Sequence, residues 1–277
     1  MKIKKILVPL DFSENSISAL KYASALAVEP GAGIFILHVG DPNTLDHELH
    51  QNLNPQHIYE LLCKEDYLKN IKTSFSIIDG NVSGLIADHA RKIDADLIVM
   101  GTQGAGNLKE SLIGTNTSTV ISNSICPVLA IPKDAVFNQL MKVVVAVDID
   151  KKEEKSILEL VEYFKKLDVS ILLTYVTDDH VSSNDNVLSK LTEKLKEKSG
   201  YQKLSYKLIK SSKFMDGIED FILNIEADML VTLTHHRGIL ESIFDPSVTK
   251  KLSIHSTVPI FAVPQQTRPI IFLGVPI

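Results

Sequence analysis

The chain has 277 residues, 44% of them hydrophobic and 23% charged, with a formal net charge of -5, which is enough for two globular domains with cores of their own. The acidic balance, with no basic run of five or more residues, argues against a nucleic-acid partner. Cys63 and Cys126 lie far apart in sequence and form neither a disulfide framework nor a zinc pattern, which points to a reducing cytoplasm.

Met1 to Pro9 carries lysines and only a short apolar run before Asp11, so it reads as no signal peptide and no membrane partner is expected. In chain order, periodicity predicts strands near 4–10, 32–39, 73–78, 96–101 and 127–131, separated by helices near 14–28, 55–71, 82–93 and 115–123. Ser13 is a candidate cap for the first helix, Ser16, Ala19, Leu20, Ala23 and Leu26 include its apolar stripe, and Pro30 and Gly31 stop it. A second series follows: strands near 142–148, 169–176, 203–209, 228–233 and 259–263, and helices near 152–167, 186–199, 214–225 and 246–254. Pro127 and Pro259 precede the last strand of each series, a position compatible with an edge strand that pairs with another domain.

The two series are a repeat. Lys5-Ile-Leu-Val-Pro-Leu-Asp11 returns as Lys142-Val-Val-Val-Ala-Val-Asp148, at an offset of 137. Cys126-Pro-Val-Leu-Ala-Ile-Pro132 returns as Val258-Pro-Ile-Phe-Ala-Val-Pro264 at an offset of 132, so the second copy is five residues shorter. Alternating strands and amphipathic helices imply, in each copy, a five-stranded mostly parallel sheet with helices on both faces and right-handed crossovers. The expected fold class is therefore α/β, with two tandem doubly wound, flavodoxin-like domains at 1–135 and 141–265 and a C-terminal tail at 266–277.

The most distinctive segment follows the fourth strand: Gly101-Thr-Gln-Gly104-Ala-Gly106-Asn-Leu-Lys-Glu-Ser-Leu-Ile-Gly114-Thr115-Asn116-Thr117. Strand, glycine-rich loop and helix start form a place where open α/β sheets bind ligands. Glycines here can adopt positive φ and carry no side chain, so backbone amides can turn toward an anion, which the unpaired amides of the next helix also favour. A Walker loop needs Lys and Ser/Thr after its last glycine, and Asn107-Leu108 stands there instead; a dinucleotide fingerprint needs glycines in the first strand-to-helix turn, and Pro9 to Ser13 has none.

What fits is Gly, two residues, Gly, nine residues, Gly-Thr, together with Val8-Pro-Leu-Asp-Phe-Ser13 and His38-Val39. In these three segments the chain resembles the universal stress protein family in its tandem form, strongly over 2–133 and more weakly over 141–264, and the fold of that family is related to the adenine nucleotide alpha hydrolases. The resemblance implies ATP, AMP or ADP at the carboxyl ends of the strands, with Mg²⁺ or Mn²⁺ bridging phosphates and no protein ligand for the cation evident. Carried over by position, Leu10 and Asp11 meet ribose or adenine, backbone around Val39 reads the adenine, and Met100, Gly101, Gly104, Gly114, Thr115 and Asn116 surround ribose and phosphates. The family also implies pairing through last strands, between the two halves or between two chains as a homodimer. The expected role is a sensor or interaction module, with a slow ATPase, a nucleotidyl-transfer enzyme and a scaffold without nucleotide as alternatives.

The second copy departs at the loop, which reads Thr232-Leu-Thr-His235-His236-Arg237-Gly238 onward and keeps one glycine out of register. One nucleotide per chain is the expectation, with Asp148 structural. His47, His50 and His57, and the His235-His236-Arg237 run, are read as solvated loop residues before metal ligands, and Ser13, Ser111 and Thr115 lack patterned His and Asp partners for nucleophilic catalysis. The apolar segment Ile270 to Ile277 is read as a docked tail or partner contact.

Overall fold

A computed structural model describes residues 1–40, 54–103, 114–137, 139–148, 153–178, 181–233 and 257–264. In the first half, β1 (Lys5–Pro9), β2 (Gly33–Gly40), β3 (Lys72–Asp79), β4 (Leu97–Gly101) and β5 (Val128–Ile131) are interleaved with α1 (Glu14–Leu26), α2 (Pro55–Leu62), α3 (Val82–Lys92) and α4 (Thr115–Asn123). The second half contributes β6 (Lys142–Ala146), β7 (Ser170–Thr177), β8 (Leu204–Lys210), β9 (Met229–Leu233) and β10 (Ile260–Val263), with α5 (Glu154–Lys165), α6 (Val181–Ser199) and α7 (Phe214–Asn224).

All ten strands join one sheet in the order β3-β2-β1-β4-β5-β10-β9-β6-β7-β8. Pairing is parallel within each half, and the halves meet where β5 and β10 run antiparallel, with Leu129 opposite Phe261. The last strands thus pair with each other inside the chain, and the prolines before them, Pro127 and Pro259, give their carbonyls to Ile98 N and Leu230 N. The inner strands are buried on both faces, as continuous apolar runs require, whereas the outermost β3 and β8 alternate with exposed residues.

The two faces differ. On one, a single hydrophobic cluster runs unbroken from Leu20, Ala23 and Leu26 of α1 to Leu160, Tyr163 and Phe164 of α5 and Phe261 of β10. On the other, α3 and α4 cover one cluster and α7 covers a separate one. The shared face carries the polar ties between halves. Tyr163 Oη donates to Leu26 O at 2.8 Å, Lys166 pairs with the buried Glu29, and the N-terminal ammonium bonds Glu159 O at 3.1 Å. Burial, helped by Glu29, holds the Tyr163 phenol far above its usual range. The linker after β5 lies over α1, where Tyr22 Oη donates to Val136 O at 3.3 Å and its ring meets Phe137 edge-on at 4.8 Å. Burial, and secondarily Asp228, pushes the Tyr22 phenol up to about 12.

Two helices differ from the sequence expectation. The span 55–71 is broken after Leu62, because Glu65 turns extended (ψ 138) before a 3₁₀ turn at Asp66–Leu68 that buries Leu68 in the shared core. Helix α6 begins five residues earlier than expected, at Val181 instead of 186. The helix expected at 246–254, the tail at 266–277 and the loop histidines His47, His50, His235 and His236 lie outside the described residues.

Candidate functional site

The site is built from the carboxyl ends of β1, β2 and β4. Leu10 N extends the ladder to Leu37 O at 2.8 Å, and Leu10 O accepts from His38 Nδ1 at 2.8 Å, which fixes that imidazole as protonated on Nδ1. Phe12 then takes φ 63, a conformation unusual for a bulky side chain. Its ring is held against His38 at 4.9 Å and Phe75 at 6.5 Å, so packing offsets the strain and turns the chain into α1. Asp11 Oδ1 accepts from Ser13 N at 3.1 Å and Ser13 Oγ at 2.6 Å, while Ser13 Oγ accepts from Ser16 N as the cap of α1. The carboxylate is therefore oriented by the capping turn at the mouth of the sheet.

Gly101 closes β4, opposite Ile131, and Gly114 caps α4. Neither uses a positive φ. Gly114 has φ -65, and among the described glycines only Gly31, Gly80 and Gly200 have positive φ. Both are needed instead because a Cβ would collide with the chain. At Gly114 it would lie 2.9 Å from Thr102 O, the carbonyl that accepts the Gly114 amide at 2.6 Å; at Gly101 it would lie 2.6 Å from Asn15 Nδ2. The first of these contacts clamps the two ends of the 104–113 segment together at residues 102 and 114.

Helix α4 has no side-chain cap on its first amides, and Thr115 and Asn116 are exposed at that end while Thr117 Oγ1 turns inward to Gly101 O at 3.0 Å. An uncapped helix start and an oriented carboxylate at the same carboxyl edge of adjacent strands are chemically suited to a ligand carrying both an anion and hydroxyl or amine donors. Met100 and Leu10 are buried, on opposite faces of the sheet, so their side chains are closed to a ligand. Val39 is half-buried at the end of β2, beside Ile78 of β3. Gly104 lies outside the described residues. Asn15 is the residue that sequence reading missed: buried in the first turn of α1, it donates through Nδ2 to Gln103 O at 3.0 Å and so joins the β1 and β4 ends. Its only sequence signal is an amide two positions after a helix cap.

The second half has a different carboxyl end. Val147 N reaches Thr174 O at 3.0 Å, matching Leu10, but Asp148 is followed by a buried Glu153 whose Oε2 accepts the Asp148 amide at 3.1 Å. Leu233, opposite Val263, stands where Gly101 stands opposite Ile131, and its side chain is buried in the shared core. Among the described residues no cluster of three or more His, Cys, Asp or Glu could hold a metal ion, and no helix is long and apolar enough to cross a membrane.

The sequence pattern of the Universal stress protein family matches residues 2–132 and again residues 140–264. The chain belongs to the universal stress protein family. One copy's length is similar to a universal stress protein of Methanocaldococcus jannaschii, 34% identical over 140 residues that cover 47% of this chain and 82% of that protein. A universal stress protein of Synechocystis is also 34% identical, over 134 residues covering 47% of this chain and 85% of that one. The solved universal stress protein of Archaeoglobus fulgidus matches the tandem fold as a whole, with a TM-score of 0.73 at 21% identity, over 94% of this chain and 96% of that one.

Proposed function

We propose that this universal stress protein binds one adenine nucleotide, ATP or its AMP or ADP relatives, at the carboxyl end of its first half, and acts in the cytoplasm as a stress-response sensor or interaction module. The observation that carries the reading is the open start of α4, with no side-chain cap, at the same carboxyl edge of the neighbouring strands β1 and β4 as the Asp11 carboxylate. Amides of Thr115 and Asn116, with backbone at Gly101, Gly104 and Gly114, hold the phosphates, whose charge Mg²⁺ or Mn²⁺ would help neutralise. Asp11 takes ribose or adenine donors, and backbone at Leu10, Val39 and Met100 lines the base and sugar. Residues 1–135 form the nucleotide domain and 141–265 a structural partner whose loop no longer binds, followed by the tail at 266–277. Nucleotide that binds one conformation of the protein more tightly than another shifts the population toward it and changes the surface offered to a partner.

Mass spectrometry of freshly purified, denatured protein tests this: co-purified adenine nucleotide near one per chain is expected. Protein that carries none and gains no thermal stability from added ATP with Mg²⁺ rejects the reading. Asp148→Ala leaves the stoichiometry near one; a drop would put a second nucleotide in the second half. ATP turnover at about 1–10³ s⁻¹ would replace a binding module with an enzyme.

A further inference from the structure

Gly101 is the first glycine of the loop pattern, and its lack of a side chain is used by the protein itself. A Cβ built on it would lie 2.6 Å from Asn15 Nδ2, 2.9 Å from Asn15 Cγ and 3.3 Å from Asn15 Oδ1. The Asn15 amide therefore occupies the volume that any other residue at 101 would fill. Asn15 is 6% exposed and its Nδ2 is committed to Gln103 O at 3.0 Å, two residues beyond Gly101. Its Oδ1 is buried with no hydrogen-bond partner. Leaving a buried amide oxygen unsatisfied is unfavourable, and an apolar residue would fill the space without that cost. The neighbouring Thr102 Oγ1 is buried and unpartnered as well, so two destabilised polar atoms lie at this junction, and functional sites are where such conflicts with stability are expected. In the second half the same register position is Leu233, whose side chain is fully packed.

We infer that Asn15 is a positioning residue for the nucleotide site and that Gly101 is the socket that admits it. Asn15 ties the first residues after β4 to the first turn of α1, which fixes the start of the phosphate-holding segment relative to Asp11 and the Ser13 cap. Gly114, through Thr102 O, fixes the other end of that segment. In this arrangement the missing side chain of Gly101 serves the site by admitting Asn15. This inference rests on the nucleotide reading above and refines which residues of the motif touch ligand.

A double-mutant cycle on the full chain tests it, using Asn15→Ala, Gly101→Ala and the double variant, with ATP affinity measured by calorimetry at a temperature where all four proteins are folded. Each single substitution is expected to weaken ATP by about tenfold, and the double variant to be no weaker than Asn15→Ala alone, since coupled neighbours do not add. Full loss in Gly101→Ala with wild-type affinity in Asn15→Ala, or losses that multiply in the double variant, would overturn the inference and return Gly101 to direct ligand contact. Thermal midpoints of the same four proteins separate the two readings. If the wild type binds no ATP, the functional proposal fails; non-additive midpoints would then retain the socket and additive midpoints would reject it.

Discussion

The two halves agree at the amino ends of their strands and disagree at the carboxyl ends. At the amino end, Asp96 Oδ2 accepts from Lys4 N and Lys5 N at 2.9 Å each, and Asp228 Oδ2 accepts from Met141 N at 2.9 Å and Lys142 N at 2.7 Å. Lys5 Nζ caps the end of α3 at Ile93 O, and Lys142 Nζ caps α7 at Ile225 O. Asp94 and Glu226, just beyond those helices, take nearly the same left-handed φ of 51 and 52. At the carboxyl end, Gly101 faces Leu233, and a Ser13 cap with an uncapped α4 faces a buried Glu153 with no side-chain cap on α5. The amino-end devices hold crossovers together and are needed by both copies for folding. The carboxyl end is where ligands bind in such sheets, and it is there that the described residues of the two copies differ.

The comparison breaks most severely if the first half is given the second half's residue. Gly101→Leu is expected to collide with Asn15 and remove the nucleotide-dependent stabilisation, about 2.7 kcal/mol with ligand at 100 times Kd, as scanning calorimetry with and without ATP would show. At the amino ends, Asp96→Ala and Asp228→Ala should each cost about 1.5–3 kcal/mol in urea unfolding, because two backbone amides lose a charged acceptor, and the two costs should agree within about 0.5 kcal/mol. Unequal costs would mean that the shared geometry hides unequal roles. Across the seam, Tyr163→Phe should lose about 1 kcal/mol of stability and leave nucleotide stoichiometry unchanged.

The smallest effect concerns pH. His89 of α3 is half-buried with Nδ1 unpartnered, and burial, then Lys92, lowers its pKa below 6.5; the repeat puts Phe221 at the matching place in α7. A base with a depressed folded pKa contributes stability above its unfolded pKa and loses it as pH falls through and below 6.5. His89→Phe, which copies the second half, should flatten that part of the stability profile measured between pH 7.5 and 5.5, and an unchanged slope would remove His89 from the account.

Much of the fold was legible because its signals are local. Runs such as Ile6 to Leu10 and Val143 to Val147 are continuously apolar, as strands buried on both faces must be, and the repeat showed each element twice. The break in the expected 55–71 helix was hidden because α2 has no fully buried residue to mark its true extent; Leu68, the anchor, belongs to the turn after it. The site was legible as a glycine spacing, but the use of those glycines was not. Whether Gly101 serves a ligand, a positive φ or a neighbouring side chain depends on Asn15, which is far away in sequence and adjacent only once α1 packs on β4.

The antiparallel β5–β10 seam has an evolutionary corollary. Leu26 and Tyr163, and Glu29 and Lys166, are bonded across it, and each pair is separated by 137 positions, the spacing that relates Asp11 to Asp148. They are therefore equivalent residues meeting near an approximate dyad. In an assembly of identical subunits such positions confront themselves, so an acid would oppose an acid. Fusing the copies into one polypeptide releases that constraint, lets a carboxylate meet an ammonium and a phenol meet a carbonyl, and makes the matched halves inseparable by dilution.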